Sequence, residues 1–270
     1  IKLNTINFFH TSFITTKRKI IMAFKDMTGQ KVPNAVFHTR QGDQWVDVNT
    51  DELFSGKKVV VFSLPGAFTP TCSSTHLPRY NELADEFKKL GIDDILCVSV
   101  NDTFVMNAWA DDQESDKITL IPDGNGEFTE GMNRLVSKED LGFGKRSWRY
   151  SMLVDDGMIV KIFDEPEKDG DPFEVSDADT MIKFLNPDWE DKPSVTIITK
   201  PGCAFCAKAK EALKSHGVAY EEVVLGRDAS MTSVRAITGH DTVPQVFVGG
   251  KRIGGSEELE TYLASDACAV

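Results

Sequence analysis

The sequence predicts an α/β protein of two domains, each a mixed β-sheet flanked by helices. Three observations carry this. Apolar runs of strand length alternate with segments of helical period along most of the chain. The alternation stops at Asn186-Pro187-Asp188-Trp189-Glu190-Asp191-Lys192-Pro193, where two prolines and three acids mark a linker, and then restarts in miniature. In each half a cysteine falls where a strand gives way to a helix: Cys72 in the first, Cys203 in the second.

The elements follow in order. Two short alternating segments within 36–48 flank Gln41-Gly42-Asp43 and predict a hairpin. The continuous apolar run 58–64 predicts a buried strand, broken by Pro65-Gly66. Leu77, Tyr80, Leu83, Ala84, Phe87 and Leu90 have helical spacing, so one helix is expected over 72–90, ended by Gly91. A second buried strand is expected over 95–100, a helix over 104–110, and a third strand over 118–121 before Pro122-Asp123-Gly124. Asp155-Asp156-Gly157 between two apolar segments predicts a hairpin, and 177–185 a short closing helix. After the linker come a strand at 195–199, a helix at 206–216, a strand at 220–225 and a helix at 229–238. A hairpin around Gly249-Gly250 and a last helix, capped by Ser256, complete it. The order β-α-β-α-β-β-α in about 70 residues is a thioredoxin-like outline, and C-x-x-C after its first strand is the redox placement.

The expected division is 22–185, the linker 186–193, 194–265 and a tail at 266–270. Residues 1–21 stand apart: they contain no Gly, Ala, Pro, Val, Asp or Glu, and Met22 opens an ordinary stretch. They read as translated upstream sequence with Met22 the native start, or as a basic targeting leader built on Lys17-Arg18-Lys19.

Composition excludes several function classes. With 270 residues and 41% hydrophobic content, two packed cores are expected. A net charge of -12 argues against nucleic acid, whose phosphates require clustered positive charge. No apolar run approaches the ~20 residues of a membrane span. The five cysteines, Cys72, Cys97, Cys203, Cys206 and Cys268, are odd in number and irregularly spaced, which is no disulfide framework. The single C-x-x-C lacks the other two ligands of a zinc site, so no metal is expected. Reduced, reactive thiols in a reducing, cytoplasmic setting are the better reading.

Cys72 sits in Pro65-Gly66-Ala67-Phe68-Thr69-Pro70-Thr71-Cys72. The first N–H groups of a helix are unpaired donors carrying about half a positive charge, and they favour a thiolate, the reactive form. Thr69, three positions earlier, lets the loop fold a hydroxyl toward the sulfur. Pro65 and Pro70 stiffen the loop, and Pro65 shields one side from water. Attack on an O–O bond builds negative charge on the leaving oxygen, so a cation is needed; Arg149, just before a strand, can supply it. The turn alone would also fit a buried, inert cysteine.

Pro65-x-x-x-Thr69-x-x-Cys72 is similar to the peroxiredoxin active-site pattern. The string from Pro65 to Pro78, with Arg149-Tyr150-Ser151-Met152, resembles peroxiredoxins of the Prx5 type over about residues 30–185. The resemblance implies reduction of peroxides by Cys72, with Thr69 and Arg149 holding the substrate. Two-cysteine relatives carry a resolving cysteine after the strand that ends near Phe163; here 164–179 contains none, so the sulfenic acid needs a thiol from elsewhere. His76, four residues after Cys72, could pair with it as a hydrolase base, but reads as a structural or minor electrostatic neighbour. Cys97 reads as inert core and Cys268 as part of a frayed tail.

In the second half, Lys200-Pro201-Gly202-Cys203-Ala204-Phe205-Cys206 puts Cys203 before a helix and Cys206 in its first turn, with Lys200 a nearby cation. With Thr242-Val243-Pro244 and Gly254-Gly255-Ser256-Glu257-Glu258-Leu259, this resembles glutaredoxin over residues 194–265. The resemblance implies a cis bond before Pro244 and glutathione paired along the Val243 backbone, with Thr242 and Pro244 also at the glutathione site. It puts Lys200 on the glycyl carboxylate, and Gly255, Ser256 and Glu257 at the γ-glutamyl end, where helix-start N–H groups suit a carboxylate. Phe205 keeps the ring of the more common Tyr.

The two resemblances together imply a glutathione-dependent peroxidase. Cys72 becomes sulfenic acid, glutathione condenses with it, and Cys203 removes the glutathionyl group. Glutathione is then a reducing co-substrate, and no metal, flavin or haem is implied. A homo-oligomer, dimer or tetramer, follows by resemblance. The rival readings are a thiol–disulfide oxidoreductase acting on proteins and a non-enzymatic redox sensor.

Overall fold

The structure, a computed structural model, describes residues 24–168 and 170–265. The segment 1–21, the tail 266–270 and Cys268 lie outside the described residues. Two units divide between Trp189 and Glu190.

The first unit opens with β1 (Val36–Gln41) and β2 (Gln44–Asn49), an antiparallel hairpin in which Gln41 faces Gln44. α1 (Thr50–Phe54) follows at once, its end capped by the Asn49 side chain, which accepts from the Glu52 N–H. β3 (Lys58–Leu64) is buried from Val59 onward, as a strand covered on both faces should be. A helical turn, Cys72–His76, leads into α2 (Leu77–Glu82) and α3 (Ala84–Lys89). Then come β4 (Asp94–Ser99), α4 (Thr103–Asp112), β5 (Thr119–Pro122) and α5 (Glu127–Gly131). A small ribbon, β6 (Leu135–Ser137) with β7 (Lys145–Ser147), precedes β8 (Tyr150–Asp155), β9 (Met158–Asp164) and α6 (Ala178–Leu185).

The main sheet runs β5-β4-β3-β8-β9, with β3, β4 and β5 parallel and β8 and β9 antiparallel. Strand alternation divides the core in two. Val60, Phe62, Leu64 and Cys97 face Cys72, Leu77, Tyr80, Phe87, Trp109 and Met181. Val59, Val61, Leu96 and Val98 face Phe37, Phe54 and Phe128. Arg79 clamps α6 to α2 through both oxygens of Asp179, at 3.0 and 2.7 Å. Trp189 packs against the first of these cores.

The single helix expected over 72–90 is three pieces. The Leu77 N–H reaches back five residues to the Cys72 carbonyl, a wide turn, and Leu83 (φ -87, ψ 3) separates α2 from α3. Pro78 supplies a reason for the wide turn: it has no N–H for the Ser74 carbonyl, and its ring crowds the turn before it. Such widened turns occur often at functional sites. The expected 155–157 hairpin is present, with Asp156 (φ 46) and Gly157 (φ 74) both left-handed, as a tight two-residue turn requires. α1, α5 and the β6–β7 ribbon went unread because three to five residues give no periodicity to read.

The second unit holds β10 (Val195–Thr199), α7 (Ala204–Ser215), β11 (Glu221–Val224), α8 (Met231–Thr238), β12 (Gln245–Val248), β13 (Lys251–Gly254) and α9 (Ser256–Leu263). Its sheet runs β11-β10-β12-β13, with β10 and β11 parallel and the rest antiparallel. Val195, Ile197, Val246 and Val248 pack on Ala209, Leu213 and Leu259 from α7 and α9. One expectation is corrected: Gly255, not Ser256, is the N-cap of α9, and Ser256 is its first, buried residue. The Glu258 carboxylate accepts the Gly255 N–H at 2.8 Å and closes that end. Each unit is thus a mixed sheet flanked by helices, the thioredoxin-like arrangement. Among the described residues no helix is long and apolar enough to cross a membrane.

Candidate active site

The first site is built where β3 ends beside the start of β8. Ser63 pairs with Tyr150 across the two strands, so Arg149 lies next to the point where the Cys72 loop departs. Pro65 and Gly66 are buried in that loop, the Ala67 N–H donates to Asn101 Oδ1 at 3.1 Å, and Phe68 is exposed at φ 60. The Thr69 hydroxyl donates to the Gly66 carbonyl at 2.8 Å, while the Thr69 carbonyl accepts the Ser73 N–H at 3.0 Å. Thr69 thus braces the loop through its proton, and its oxygen retains lone pairs.

Cys72 is fully buried, and Arg149 Nη2 donates to its sulfur at 3.5 Å. Arg149 is itself buried and held on three sides. Nη1 donates to His76 Nδ1 at 2.9 Å, Nε donates to Asp171 Oδ1 at 3.2 Å, and Nη2 also donates to Asp171 Oδ2. The Phe173 ring lies 5.4 Å from the guanidinium carbon and 4.9 Å from the His76 ring.

The histidine's tautomer follows from its partners. His76 Nε2 faces the Ser176 carbonyl at 3.1 Å, and a carbonyl only accepts, so Nε2 carries the proton. Nδ1 is then the acceptor that Arg149 needs. Burial, and then the Arg149 charge, hold the imidazole well below its usual range, so it is neutral. The sequence marks His76 as a structural or minor electrostatic neighbour of Cys72; the geometry makes it a fixed acceptor for Arg149. Asp171, Phe173 and Ser176 were missed, because the stretch between β9 and α6 has no period and no motif. Cys97 is buried in β4, where desolvation pushes its thiol well up.

The second site lies where β10 gives way to α7. Cys203 is the N-cap of α7, and its sulfur accepts the Cys206 N–H at 3.1 Å. Cys203 and Cys206 are joined as a disulfide with Cα atoms 5.2 Å apart. Cys203 is half-buried, whereas Cys206 is 2% exposed. The Val243–Pro244 bond is cis, and the Val243 carbonyl oxygen lies 3.7 Å from the Cys203 sulfur. Gln245 braces this turn from beneath, donating to the Thr242 carbonyl at 2.8 Å. Lys200 and Phe205, the latter 63% exposed, stand at the surface beside the thiols. A groove of about 490 Å³ is lined by Thr199, Lys200, Cys203, Cys206, Lys210 and Glu222. Lys210 and Glu222 were not foreseen. Glu222 accepts from the Thr199 hydroxyl at 2.7 Å and from Lys210 at 2.9 Å, which hold it below the usual carboxylate range.

At the start of α9 the expectation needs correcting. Glu258 occupies the Gly255 N–H, so that donor is not free for a ligand carboxylate. Ser256 is buried and Glu257 exposed, which leaves their backbone N–H groups as the candidates. Among the described residues no cluster of three or more His, Cys, Asp or Glu is placed to hold a metal ion.

A buried thiol with a guanidinium donor, and a second unit whose C-x-x-C faces a cis-proline, define a thiol-based redox protein. Comparison with known proteins agrees. The Redoxin family model matches residues 27–182 and the Glutaredoxin family model residues 195–253. The hybrid peroxiredoxin hyPrx5 of Haemophilus influenzae is 67% identical over 238 residues, covering 88% of this chain and 99% of that protein. A peroxiredoxin of Synechocystis is 58% identical, covering 59% of this chain and 91% of its own length. Among solved structures, reduced Prx3 of Vibrio vulnificus in complex with H2O2 superposes with a TM-score of 0.56 at 42% identity, covering 60% of this chain and 99% of that one. The chain belongs to the peroxiredoxin family, in the hybrid form that carries a glutaredoxin domain in the same polypeptide. As a peroxiredoxin it is a thiol peroxidase.

Proposed function

We propose that the chain reduces hydrogen peroxide and alkyl hydroperoxides at the expense of glutathione, through a relay from Cys72 to Cys203. The observation that carries the reading is the Arg149 donor 3.5 Å from the Cys72 sulfur, on a guanidinium that His76 and Asp171 hold in place. A peroxide entering beside the sulfur meets that donor and the Thr69 oxygen. The Cys72 thiolate attacks one oxygen of the peroxide, the O–O bond breaks, and the second oxygen leaves as water or alcohol after taking a proton. Arg149 stabilises the charge that develops on the leaving oxygen.

The sulfenic acid left on Cys72 then condenses with glutathione, forming a mixed disulfide and releasing water. Cys203 attacks the glutathionyl sulfur and Cys72 leaves as thiolate. A second glutathione, or Cys206, clears Cys203. The half-buried Cys203 sulfur at the helix start suits it to attack, and the covered Cys206 suits it to follow. Lys200, Phe205, Thr242, Val243, Ser256 and Glu257 are the residues proposed around glutathione, with Pro244 shaping the turn. Tethering both sites to one chain raises the concentration of each for the other, to about mM for a suitable linker. A reducing, cytoplasmic setting and a dimer or tetramer are part of the same proposal.

The test is peroxide turnover with glutathione as the only reductant. Sustained turnover supports the reading. One equivalent of peroxide consumed, followed by arrest, would contradict it and favour a sensor or an oxidoreductase acting on proteins.

A further inference from the structure

Arg149 is buried, yet much of what orients it comes from outside the sheet. Asp171 takes two of its donors, Phe173 covers its face, and His76 is fixed by the Ser176 carbonyl. Asp171, Phe173 and Ser176 all belong to the irregular stretch between β9 and α6. The described residues of that stretch form no strand or helix, and such a stretch does not hold a guanidinium to a few tenths of an ångström unless something fixes it.

Glu165 does so. It is 2% exposed, and its carboxylate is filled by donors from the far end of the same stretch. Oε2 accepts the Glu174 N–H at 2.8 Å. Oε1 accepts the Val175 N–H at 2.9 Å, and the Ser176 N–H and Ser176 hydroxyl, both at 2.8 Å. Burying a carboxylate is costly unless its acceptors are satisfied, and here three backbone N–H groups and one hydroxyl of a single short run satisfy them. The near end is tied as well: the Glu165 N–H donates to the Arg149 carbonyl at 3.1 Å, and the Glu165 carbonyl accepts from Trp148 Nε1 at 2.9 Å. One residue therefore joins the backbone of Arg149 to the backbone of Ser176. The Ser176 carbonyl in turn accepts from His76 at 3.1 Å and from the Tyr80 hydroxyl at 3.0 Å.

We propose that Glu165 is a positioning residue for the reaction of Cys72: it closes the loop that carries Asp171, Phe173 and Ser176, and that loop aims the Arg149 guanidinium at the sulfur. Glu165 touches neither the sulfur nor the guanidinium, so its effect passes through Arg149. The inference rests on the peroxide-reducing reading of Cys72.

The experiment is stopped-flow oxidation of the reduced full-length protein by hydrogen peroxide, for the wild type, Glu165→Gln, Arg149→Ala and the double variant. Glu165→Gln keeps the shape but turns an amide N–H₂ toward a backbone N–H, or leaves that donor unpaired. A roughly tenfold slower second-order rate is expected, the scale of one buried hydrogen bond to a charged group. In the Arg149→Ala background the same substitution should change the rate by less than about twofold, because its route is already cut. A merely structural Glu165 would give the same fold loss in both backgrounds, and that result overturns the proposal. So does a wild-type rate in Glu165→Gln. Should Glu165→Gln not fold, Ser176→Ala removes one donor to the same carboxylate and must show the same dependence on Arg149; independence would count against the proposal equally. The wild-type rate in the same series tests the peroxide reading by itself: if it is no faster than a free thiol, that reading has failed, whatever the ratios.

Discussion

His76 and Arg149 share one hydrogen bond of 2.9 Å, and the histidine is its acceptor. That direction matters for the site. An imidazolium would turn a second N–H against the guanidinium and leave two cations facing each other in a buried cluster. Burial and the neighbouring charge keep the ring neutral instead, so Arg149 brings the positive charge to the Cys72 sulfur.

The first prediction is a pH dependence of stability. In the unfolded chain His76 titrates near the ordinary value of about 6.5. In the folded protein it does so well below that. Below about pH 6.5 the unfolded state therefore binds a proton that the native state does not, and stability falls as pH falls toward the folded value. The slope approaches about 1.4 kcal/mol per pH unit for one group. Urea denaturation of the wild type between pH 7.5 and 5 should show this loss. His76→Asn should be less stable at pH 7.5 and lose less on acidification. Parallel losses in the two proteins would show that His76 is not the group responsible.

A second prediction concerns geometry at fixed charge. Arg149→Lys keeps the cation but cannot reach Cys72, His76 and Asp171 together. Peroxide attack measured by stopped flow should slow by roughly 30-fold or more, about 2 kcal/mol of barrier. A change below about threefold would remove Arg149 from the site.

How far the sequence foretold these features depends on how local each signal is. β3, β4 and the 155–157 hairpin were readable because continuous apolar runs and a two-residue turn are local patterns. So were the Arg149–Cys72 pairing and the C-x-x-C at the start of α7, because each carries its own neighbours as a motif. The wide turn at Cys72 was not, since one proline six residues on alters a hydrogen-bond pattern without altering hydrophobic spacing. Glu165, Asp171 and Phe173 were invisible for another reason. They act through contacts that span nine residues or more of irregular chain, Glu165 to Glu174 and Asp171 to Arg149 among them, and no spacing rule reaches across that. Glu258's hold on Gly255 was missed although it is three residues away, because the motif suggested a ligand where the chain caps itself.

A third prediction separates the two units. Cys72→Ser should abolish peroxide consumption and leave reduction of small glutathione mixed disulfides within about twofold of wild type. The sites have separate cores, one around Phe62 and Tyr80 and one around Ile197 and Leu213. Assay of both activities on one preparation is the check; loss of both in a folded variant would contradict independent sites.

The central claim is that oxidation leaves Cys72 as a glutathionyl group and is taken up by Cys203. The most direct measurement is intact-protein mass spectrometry of Cys203→Ser after peroxide and glutathione, alongside turnover of Cys203→Ser and Cys206→Ser. The account predicts one glutathione adduct on Cys72 and almost no turnover in Cys203→Ser. It predicts substantial turnover in Cys206→Ser, whose missing sulfur is the buried one. No adduct on Cys72, or a Cys206→Ser variant as inactive as Cys203→Ser, would contradict the glutathionyl relay and point to a dithiol route.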